Sequence, residues 1–332
     1  MACHVGVLPV DLLQTIYGQL GGTARKETEQ SAGLRFLRLP HPRNGVPSLY
    51  LPYEIPQGGK SLILELQAVS PPNQRSWFMS NEVVEDGKLL MMIPVDPVFL
   101  LIPILQATLP TDGPGNFRPL EDIIEDAANK LASSPTTAPK SADSMISSED
   151  IMFLSNLACI QAAMRRVCEY KEITPEIMVY RYSSERVQSY LRTKVARLSH
   201  QDVCEISRTM TRGLAKDGLL EDGKEELLTG GRLRYACDLV SQYLPRDVYD
   251  QLLSSYDFAS LNAYMKVLKE EAMALAAVNM NAVEARESKD SGETQDAGNN
   301  KKRKAKSSTG VEKLKKANIK GMAKLSSFFQ KK

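Results

Sequence analysis

The stretch Ser76–Leu105, SWFMSNEVVEDGKLLMMIPVDPVFLLIPIL, decides how this chain is organised. In its first half, Asp86-Gly87 lies between the β-prone pair Val83-Val84 and the run Leu89–Ile93. An Asp-Gly pair between two such runs predicts a hairpin, because both residues tolerate positive φ angles. The first half of the stretch is therefore predicted to be β-structure.

The second half of the stretch predicts the start of a buried helix. Asp96 is placed to accept hydrogen bonds from the free amides of a first turn, and Pro97 suits the first helical position. The residues that follow are apolar on nearly every side of the helix: Val98, Phe99, Leu100, Leu101, Ile102, Ile104 and Leu105. A β domain is thus expected to end at residue 95, and a helical domain to begin at residue 96.

The length and composition of the chain limit the number of domains it can form and the compartments it is expected to occupy. The 332 residues, 42% of them apolar, leave room for two domains and a tail. No membrane association is expected, because no apolar run approaches the roughly 20 residues of a membrane span. Residues 1–15 lack the pattern of a secretory signal, and five scattered cysteines without a Cys-x-x-Cys pair favour reduced intracellular thiols.

Charge is distributed unevenly along the chain. Residues 301–332 carry 12 Lys and Arg residues and one acid, a net charge of +11. Residues 1–300 carry 30 basic and 39 acidic residues, a net charge of −9. Because phosphate contacts need a basic face, the acidic body does not favour nucleic-acid binding, whereas the basic tail allows it.

Residues 1–95 are predicted to form an all-β domain, a small barrel or sandwich, from short runs separated by turn residues. The candidate strands are Val5–Val10, Leu34–Leu39, Ser48–Tyr53, Ser61–Val69, Ser76–Met79 and Leu89–Ile93. About six short strands give a thin core, so completion by a partner protein is expected. The candidate contact residues for that partner are Leu62, Leu64, Leu66, Trp77 and Phe78.

Residues 96–182 predict a winged helix-turn-helix portion. Its parts are two helices within residues 96–131, a helix Ser148–Val167 and a hairpin around Thr174-Pro175. The small polar residues 132–148 between them are expected to form a mobile insertion. For DNA binding, the helix before the hairpin offers Gln161, Arg165 and Arg166. The alternative, which the acidic body favours, is that the winged helix packs against protein.

Residues 183–278 predict a helical extension. One helix starts at Ser183/Ser184, a second spans Arg232–Leu244, a third follows Pro245, and the last runs from Phe258 to about Val278. Residues 279–332 are polar and charged, which predicts a disordered tail.

No catalytic, metal or cofactor site is predicted in this chain. His200 and Cys204 lie four residues apart on a helix, but two further zinc ligands are missing. The acidic clusters at Glu121–Asp126 and Glu221–Glu226 are typical of solvated helix faces, not of nuclease carboxylates that converge from rigid strands.

The tail carries two candidate binding motifs. A compact basic cluster is typical of a nuclear import signal, with a solvated charge run as the alternative: Lys301, Lys302, Arg303, Lys304 and Lys306. Near the end, Leu325, Phe328 and Phe329 fall on one side of a helical turn. Two adjacent phenylalanines in a polar tail favour a binding partner, with an apolar tail that binds nothing as the alternative. This cluster resembles the clamp-interacting peptide of replication and repair proteins, with Met322 at the position where that family has Gln.

Several separated blocks together resemble the B subunit of eukaryotic ribonuclease H2. The blocks are SWFMS with GKLLMMIPVDPVFLL, then FRPLEDII (Phe117–Ile124), VYRYSSERVQSYLRTKV (Val179–Val195), RYACDLVSQYLP (Arg234–Pro245) and the clamp-interacting peptide. The 132–148 insertion and Met322 are the visible departures from the family pattern.

The resemblance implies an α+β fold and a role in an assembly. It implies an N-terminal triple β-barrel shared with the C subunit, then a mostly helical domain with a winged-helix portion. It also implies that catalysis, and any Mg²⁺, belong to the A subunit of a nuclear heterotrimer that cuts RNA in RNA–DNA hybrids and removes ribonucleotides embedded in DNA. This chain would organise the trimer and tether it to the sliding clamp. The main rival interpretation is a stand-alone winged-helix DNA-binding regulator, and a second rival is a self-sufficient nuclease.

Overall fold

The computed structural model describes residues 4–20, 34–55, 59–73, 75–79, 81–111, 113, 115–132 and 146–290. Its strands are β1 (Val5–Val7), β2 (Leu37–Pro40), β3 (Pro47–Ile55), β4 (Lys60–Val69), β5 (Trp77–Met79), β6 (Glu82–Val84), β7 (Leu89–Val95), β8 (Arg118–Pro119), β9 (Cys168–Thr174) and β10 (Ile177–Tyr182). Its helices are α1 (Val10–Leu20), α2 (Pro97–Ala107), α3 (Leu120–Ala132), α4 (Ser148–Phe153), α5 (Ala158–Val167), α6 (Ser184–Leu198), α7 (Gln201–Ile206), α8 (Arg208–Lys216), α9 (Glu225–Val240), α10 (Arg246–Ser254) and α11 (Ala259–Asp290).

The chain divides into two units, Met1–Lys269 and Glu270–Lys332. Within the second unit, the structure describes the part of α11 that ends at Asp290. Residues 133–145 of the predicted insertion and residues 291–332 of the predicted tail lie outside the described residues.

A five-stranded sheet, in the order β1-β7-β4-β3-β2, forms the N-terminal part of the first unit. Strand β4 lies at its centre and pairs antiparallel with β3 and β7, while β1 pairs parallel with β7 at one edge. Successive side chains on a strand point to opposite faces. Accordingly, Ile63 enters the large core shared with the helices, whereas Leu64 enters a separate cluster.

That separate cluster corrects the prediction of an all-β segment at residues 1–95. The strand predicted at Val5–Val10 ends at Val7, and α1 begins at Val10. The helix covers the second face of the sheet, where Leu12 packs with Leu51, Tyr53 and Leu64. Leu12 and Ile16 are four residues apart, which places them on the same side of a helix, and this spacing is the signal that a strand prediction overlooks.

The predicted hairpin at Asp86-Gly87 is also wrong. Strands β5 and β6 pair with each other as a two-stranded sheet, while β7 belongs to the large sheet. Gly87 instead permits a close approach of two backbone segments, because a Cβ atom there would lie 2.2 Å from the carbonyl oxygen of Arg75. The local sequence therefore marked Gly87 as a special backbone position, but it did not show that β6 pairs with β5 and not with β7.

The junction between sheet and helices is built as predicted, because β7 leads directly into α2. Asp96 caps this helix by accepting a hydrogen bond from the Val98 amide at 3.0 Å. The predicted apolar residues are all buried: Val98, Phe99, Leu100, Leu101, Ile102, Ile104 and Leu105. A helix buried on all sides must be surrounded by other elements, and here it is the centre of the large core.

A polar contact joins this cap to α6. The second carboxylate oxygen of Asp96 accepts a hydrogen bond from the Tyr190 hydroxyl at 2.6 Å and forms an ion pair with Lys194. Burial acts to raise the pKa of Asp96, but hydrogen bonds from Lys194, Tyr190 and the Val98 amide, with the charge of Lys194, lower that pKa below its usual value. The ionised cap therefore stabilises the folded state.

A second buried polar contact ties the sheet to the end of α9. Glu65, only 3% exposed, accepts hydrogen bonds from the Tyr243 hydroxyl at 2.5 Å and from the Gln67 amide at 2.8 Å. Tyr243 also stacks on Phe99 of α2, with ring centroids 5.6 Å apart. Burial next to Glu65 raises the pKa of Tyr243, so this hydroxyl remains a hydrogen-bond donor at neutral pH.

The winged-helix portion is confirmed, with two corrections. The hairpin of β9 and β10 follows α5, and the unpredicted strand β8 pairs with β10 through Tyr180↔Arg118. The single helix predicted at Ser148–Val167 is broken. A 3-10 turn follows α4, and Leu157 adopts an extended conformation before α5 begins.

The helical extension is present, but its predicted bounds change. The Ser183 hydroxyl caps α6 by accepting a hydrogen bond from the Arg186 amide, as the Ser183/Ser184 pair predicted. Helix α9 begins at Glu225, earlier than the predicted Arg232, and the last helix continues to Asp290. None of the helices within the described residues has the length and hydropathy of a membrane span.

Replacing Asp96 tests whether this junction stabilises the protein. We expect Asp96→Ala to lower the free energy of unfolding by about 2–4 kcal/mol, because it removes a helix cap and leaves Lys194 without its counter-ion. Urea denaturation of the full-length chain, in the form in which it is purified, measures the change. Glu121→Ala, at an exposed position in the first turn of α3, is the control.

The contribution of Asp96 has a defined pH dependence. Because its pKa is lower in the folded chain, the stabilisation is complete above the usual pKa of Asp, about 3.9, and is lost as the pH falls through the folded-state value. The difference in stability between the wild-type chain and Asp96→Asn should therefore shrink below about pH 4. A difference that stays constant down to about pH 2.5 would contradict this assignment.

Candidate subunit interface

The hairpin formed by β5 and β6 exposes apolar side chains on a sheet of two strands. Phe78 lies directly opposite Val83, and these side chains are 83% and 61% exposed. Met79 beside them is 54% exposed. Two isolated strands are marginally stable in water, and an exposed apolar strand edge is a typical site for pairing with another chain.

The base of the hairpin is held firmly against the large sheet. The indole nitrogen of Trp77 donates a hydrogen bond to the Lys88 carbonyl at 3.1 Å. Trp77 also lines a cavity of about 350 Å³ together with Val69, Gly87 and Leu89. Because Gly87 lets the Arg75 backbone approach closely, the hairpin is fixed at its base while Phe78 projects from it.

The structure separates the five predicted partner contacts into two groups. Trp77 is partly buried and Phe78 is exposed, and both belong to the hairpin. Leu62, Leu64 and Leu66 lie on β4, where Leu64 has no exposed surface and Leu62 packs against the α1 cluster. Leu64 is covered by residues of this chain, so in this arrangement it offers no contact to a partner. Leu66 is partly buried.

Sequence patterns missed part of this apolar surface. Val83 and Met79 were not among the candidate contacts, although both lie in the stretch Ser76–Leu105. The information that could have identified Val83 is its cross-strand pairing with Phe78, which depends on the turn between β5 and β6. Once that pairing is known, alternation places the two side chains on the same face of the hairpin.

The helix before the wing, for which DNA binding and protein packing were the two alternatives, presents its polar side chains to solvent. Gln161, Arg165 and Arg166 are all exposed on α5, and both arginines lie in its last turn, where positive charge complements the helix dipole. The adjacent wing carries the exposed acids Glu172 and Glu176. It also exposes apolar side chains at its tip, Ile173 (61%) and Ile177 (48%).

Neither His200 nor Cys204 is arranged for metal binding. His200 precedes α7 and lies 3.5 Å from Asp202, whereas the buried Cys204 thiol donates to the Leu198 carbonyl at 3.2 Å. Across the described residues, no group of three or more His, Cys, Asp or Glu side chains is arranged to hold a metal ion. The prediction that this chain has no catalytic site stays a prediction.

The tail motifs fall outside the described residues. They are the import cluster Lys301, Lys302, Arg303, Lys304 and Lys306, and the clamp peptide Met322, Leu325, Phe328 and Phe329. Both remain predictions from sequence.

Two parts of the chain match domains of one known protein family. Residues 25–96 match the Ydr279p protein triple barrel domain. Residues 99–253 match the wHTH domain of the Ydr279p protein family, described as an RNase H2 complex component. The two ranges together cover more than half of the 332 residues. The chain belongs to the family of ribonuclease H2 B subunits.

Individual members of this B-subunit family are moderately similar to the chain. The ribonuclease H2 B subunit of Bos taurus is 27% identical over 229 residues, which cover 68% of this chain and 64% of that protein. The Homo sapiens protein is 28% identical over 227 residues, 66% of this chain and 62% of that protein. The chain thus spans slightly less than two thirds of these two relatives. The Schizosaccharomyces pombe protein is 25% identical over 320 residues, 92% of this chain and 97% of that protein.

The family matches agree with the architecture of the first unit. The triple-barrel match ends at residue 96 and the wHTH match begins at residue 99, on either side of the start of α2. The triple-barrel match therefore covers strands β2 to β7, and the wHTH match covers the winged-helix portion together with the helical extension as far as α10.

Proposed function

We propose that this chain is the non-catalytic B subunit of a ribonuclease H2 heterotrimer. In this proposal the catalytic A subunit, with its Mg²⁺, cleaves RNA in RNA–DNA hybrids and removes ribonucleotides embedded in DNA. The present chain shares its barrel with the C subunit, organises the trimer and works in the nucleus. Membership of the B-subunit family supports the proposal, and the hairpin of β5 and β6 carries its structural part.

The hairpin supports a shared barrel for two reasons. Its strands pair with no other strand within the described residues, so their outer backbone groups are available to strands of a partner. The exposed Phe78 and Val83 would lose contact with water when those strands pair, and burying a large apolar side chain contributes about 1.5–3 kcal/mol. Trp77 keeps the hairpin in place before the partner arrives.

The charges of the winged-helix portion favour protein packing over independent DNA binding. Arg165 and Arg166 are exposed on α5. The wing exposes Lys171 together with the acids Glu172 and Glu176, so it does not add the basic face that phosphate contacts need. The apolar wing tip at Ile173 and Ile177 fits a protein contact better than a phosphate backbone.

The tail supplies the second part of the proposal. The basic cluster at residues 301–306 would act as a nuclear import signal, and the peptide at Met322–Phe329 would bind the sliding clamp. A weak contact at the end of a tether raises the local concentration of an enzyme without fixing its orientation. Because Met322 replaces the usual Gln, we expect a weak clamp contact.

A charge in the hairpin tests the shared barrel. We expect Phe78→Asp to reduce the amount of A and C subunits that co-purify with this chain by about thirtyfold, because a buried aromatic anchor contributes about 2 kcal/mol or more. Co-expression of the three full-length subunits followed by affinity purification measures the change. Ile206→Asp is the matched control, because Ile206 is equally exposed (82%) but lies at the end of α7.

Two results would contradict the shared barrel. One is full recovery of both subunits with Phe78→Asp. The other is a lone chain that is monomeric, compact and cooperative in thermal melting. Salt-sensitive duplex binding by that lone chain, lost on replacing Arg165 and Arg166, would instead establish the rival DNA-binding regulator.

Replacing both tail phenylalanines tests the tether. We expect Phe328→Ala with Phe329→Ala to abolish pull-down of the purified trimer by immobilised sliding clamp, because both apolar anchors are removed. Hybrid cleavage by the same trimer should be unchanged, since the tail is assigned no part in catalysis. Lys331→Ala with Lys332→Ala is the control. Equal pull-down of the double-phenylalanine variant and the wild type would refute the tether.

A further inference from the structure

An open groove of about 590 Å³ lies among α2, α6, α7, the end of α9 and the turn after it. Its apolar lining includes Phe99, Leu198, Val203, Leu239 and Tyr243. A volume of this size accommodates one or two large side chains or a small ligand. Helical elements form the groove, and none of its lining residues belongs to the hairpin of β5 and β6. The groove is therefore a different surface from the one assigned to the shared barrel.

The charged residues that line the groove are cations. Lys194 and Arg197 both face it from α6, and no carboxylate is among the described residues of its lining. Lys194 is already ion-paired with Asp96 and lies over the rings of Phe99 and Tyr190. Arg197 is exposed, and within the described part of the chain its guanidinium forms no hydrogen bond or ion pair. Arg197 is therefore available to an incoming anion.

We propose that this groove binds a short segment of a partner protein in which a carboxylate side chain lies next to large apolar side chains. The apolar side chains occupy the space above Leu198, Val203 and Leu239. The carboxylate pairs with Arg197, whose planar guanidinium can bind both of its oxygens.

Charge complementarity selects an acidic peptide over nucleic acid. A strand of nucleic acid requires several cations along its phosphates, whereas this groove offers one unengaged cation and a mainly apolar floor. An apolar peptide without an acid would remove water from around the Arg197 guanidinium and give it no opposite charge in return, which is unfavourable. An acidic, apolar segment satisfies both features.

Two short peptides of equal shape test the proposal. The probes are acetyl-Glu-Leu-Phe-Glu-amide and its uncharged analogue acetyl-Gln-Leu-Phe-Gln-amide, added to the full-length chain purified together with the proteins that associate with it. Methyl NMR of Leu198, Val203 and Leu239 reports binding at the groove. We expect the acidic peptide to shift these signals and to bind about tenfold more tightly than the neutral one.

Three variants separate charge, shape and general electrostatics. Arg197→Glu should weaken the acidic peptide about tenfold or more. Arg192→Glu makes the same charge change on α6 outside the groove lining, where the side chain bonds its own helix at Gln188, and should change affinity less than about twofold. Thr193→Trp, at an exposed position of the lining, should block binding by filling the groove without changing charge.

Several results would overturn the proposal. They are an absence of shifts at the three methyl-bearing residues, equal affinity for the two peptides, or undiminished binding by Arg197→Glu. Shifts at the same residues with oligothymidylate, stronger than with the acidic peptide, would assign the groove to single-stranded nucleic acid instead. All four results are independent of whether Phe78 contacts a sister subunit.

Discussion

Burial of α2 is the constraint on which the rest of the structure depends. A helix with apolar side chains on every side has no face that tolerates water, so both the sheet and the later helices must pack around it. Asp96 fixes where the helix starts, and its contacts with Tyr190 and Lys194 fix where α6 crosses. Glu65 and Tyr243 make a similar connection from the sheet to the end of α9. The sheet and the helical part consequently form one compact unit up to Lys269.

The same arrangement leaves the hairpin of β5 and β6 without a covering element. Both faces of the large sheet are already used, one by α2 and its neighbours and the other by α1. No described apolar element remains to cover Phe78 and Val83. The buried core stabilises the chain itself, whereas the exposed apolar hairpin is available to another polypeptide. This contrast is what favours a role in an assembly. The groove beside Arg197 is a separate surface with a different chemistry.

Local sequence patterns predicted the features that depend on a few neighbouring residues. The Asp96-Pro97 cap, the buried helix after it, the Ser183 cap and the hairpin at Thr174-Pro175 are all confirmed. Features that depend on distant pairing were missed or misassigned. Asp86-Gly87 carries the composition of a hairpin turn, but β7 pairs with β4 and β1, which no local pattern encodes. The two-residue strand β8 exists only because β10 lies beside it.

The candidate site was only partly predictable for the same reason. Trp77 and Phe78 stood out as aromatic residues, whereas Val83 gains its role from pairing opposite Phe78. The leucines of β4 had the right alternation, but their pattern does not reveal that α1 covers them. Arg197 has no distinguishing pattern at all, because α2 and the end of α9, which help to form its setting, lie far from it in sequence.

Hydrogen–deuterium exchange on the full-length chain, purified with its associated proteins, tests the central claim most directly. The wing hairpin of the same molecule, with its exposed tip at Ile173 and Ile177, provides an internal reference. If a partner completes the barrel, amides of β5 and β6 should exchange as slowly as those of the central strand β4. Exchange of β5 and β6 as fast as that of the wing tip would contradict a barrel built from two chains.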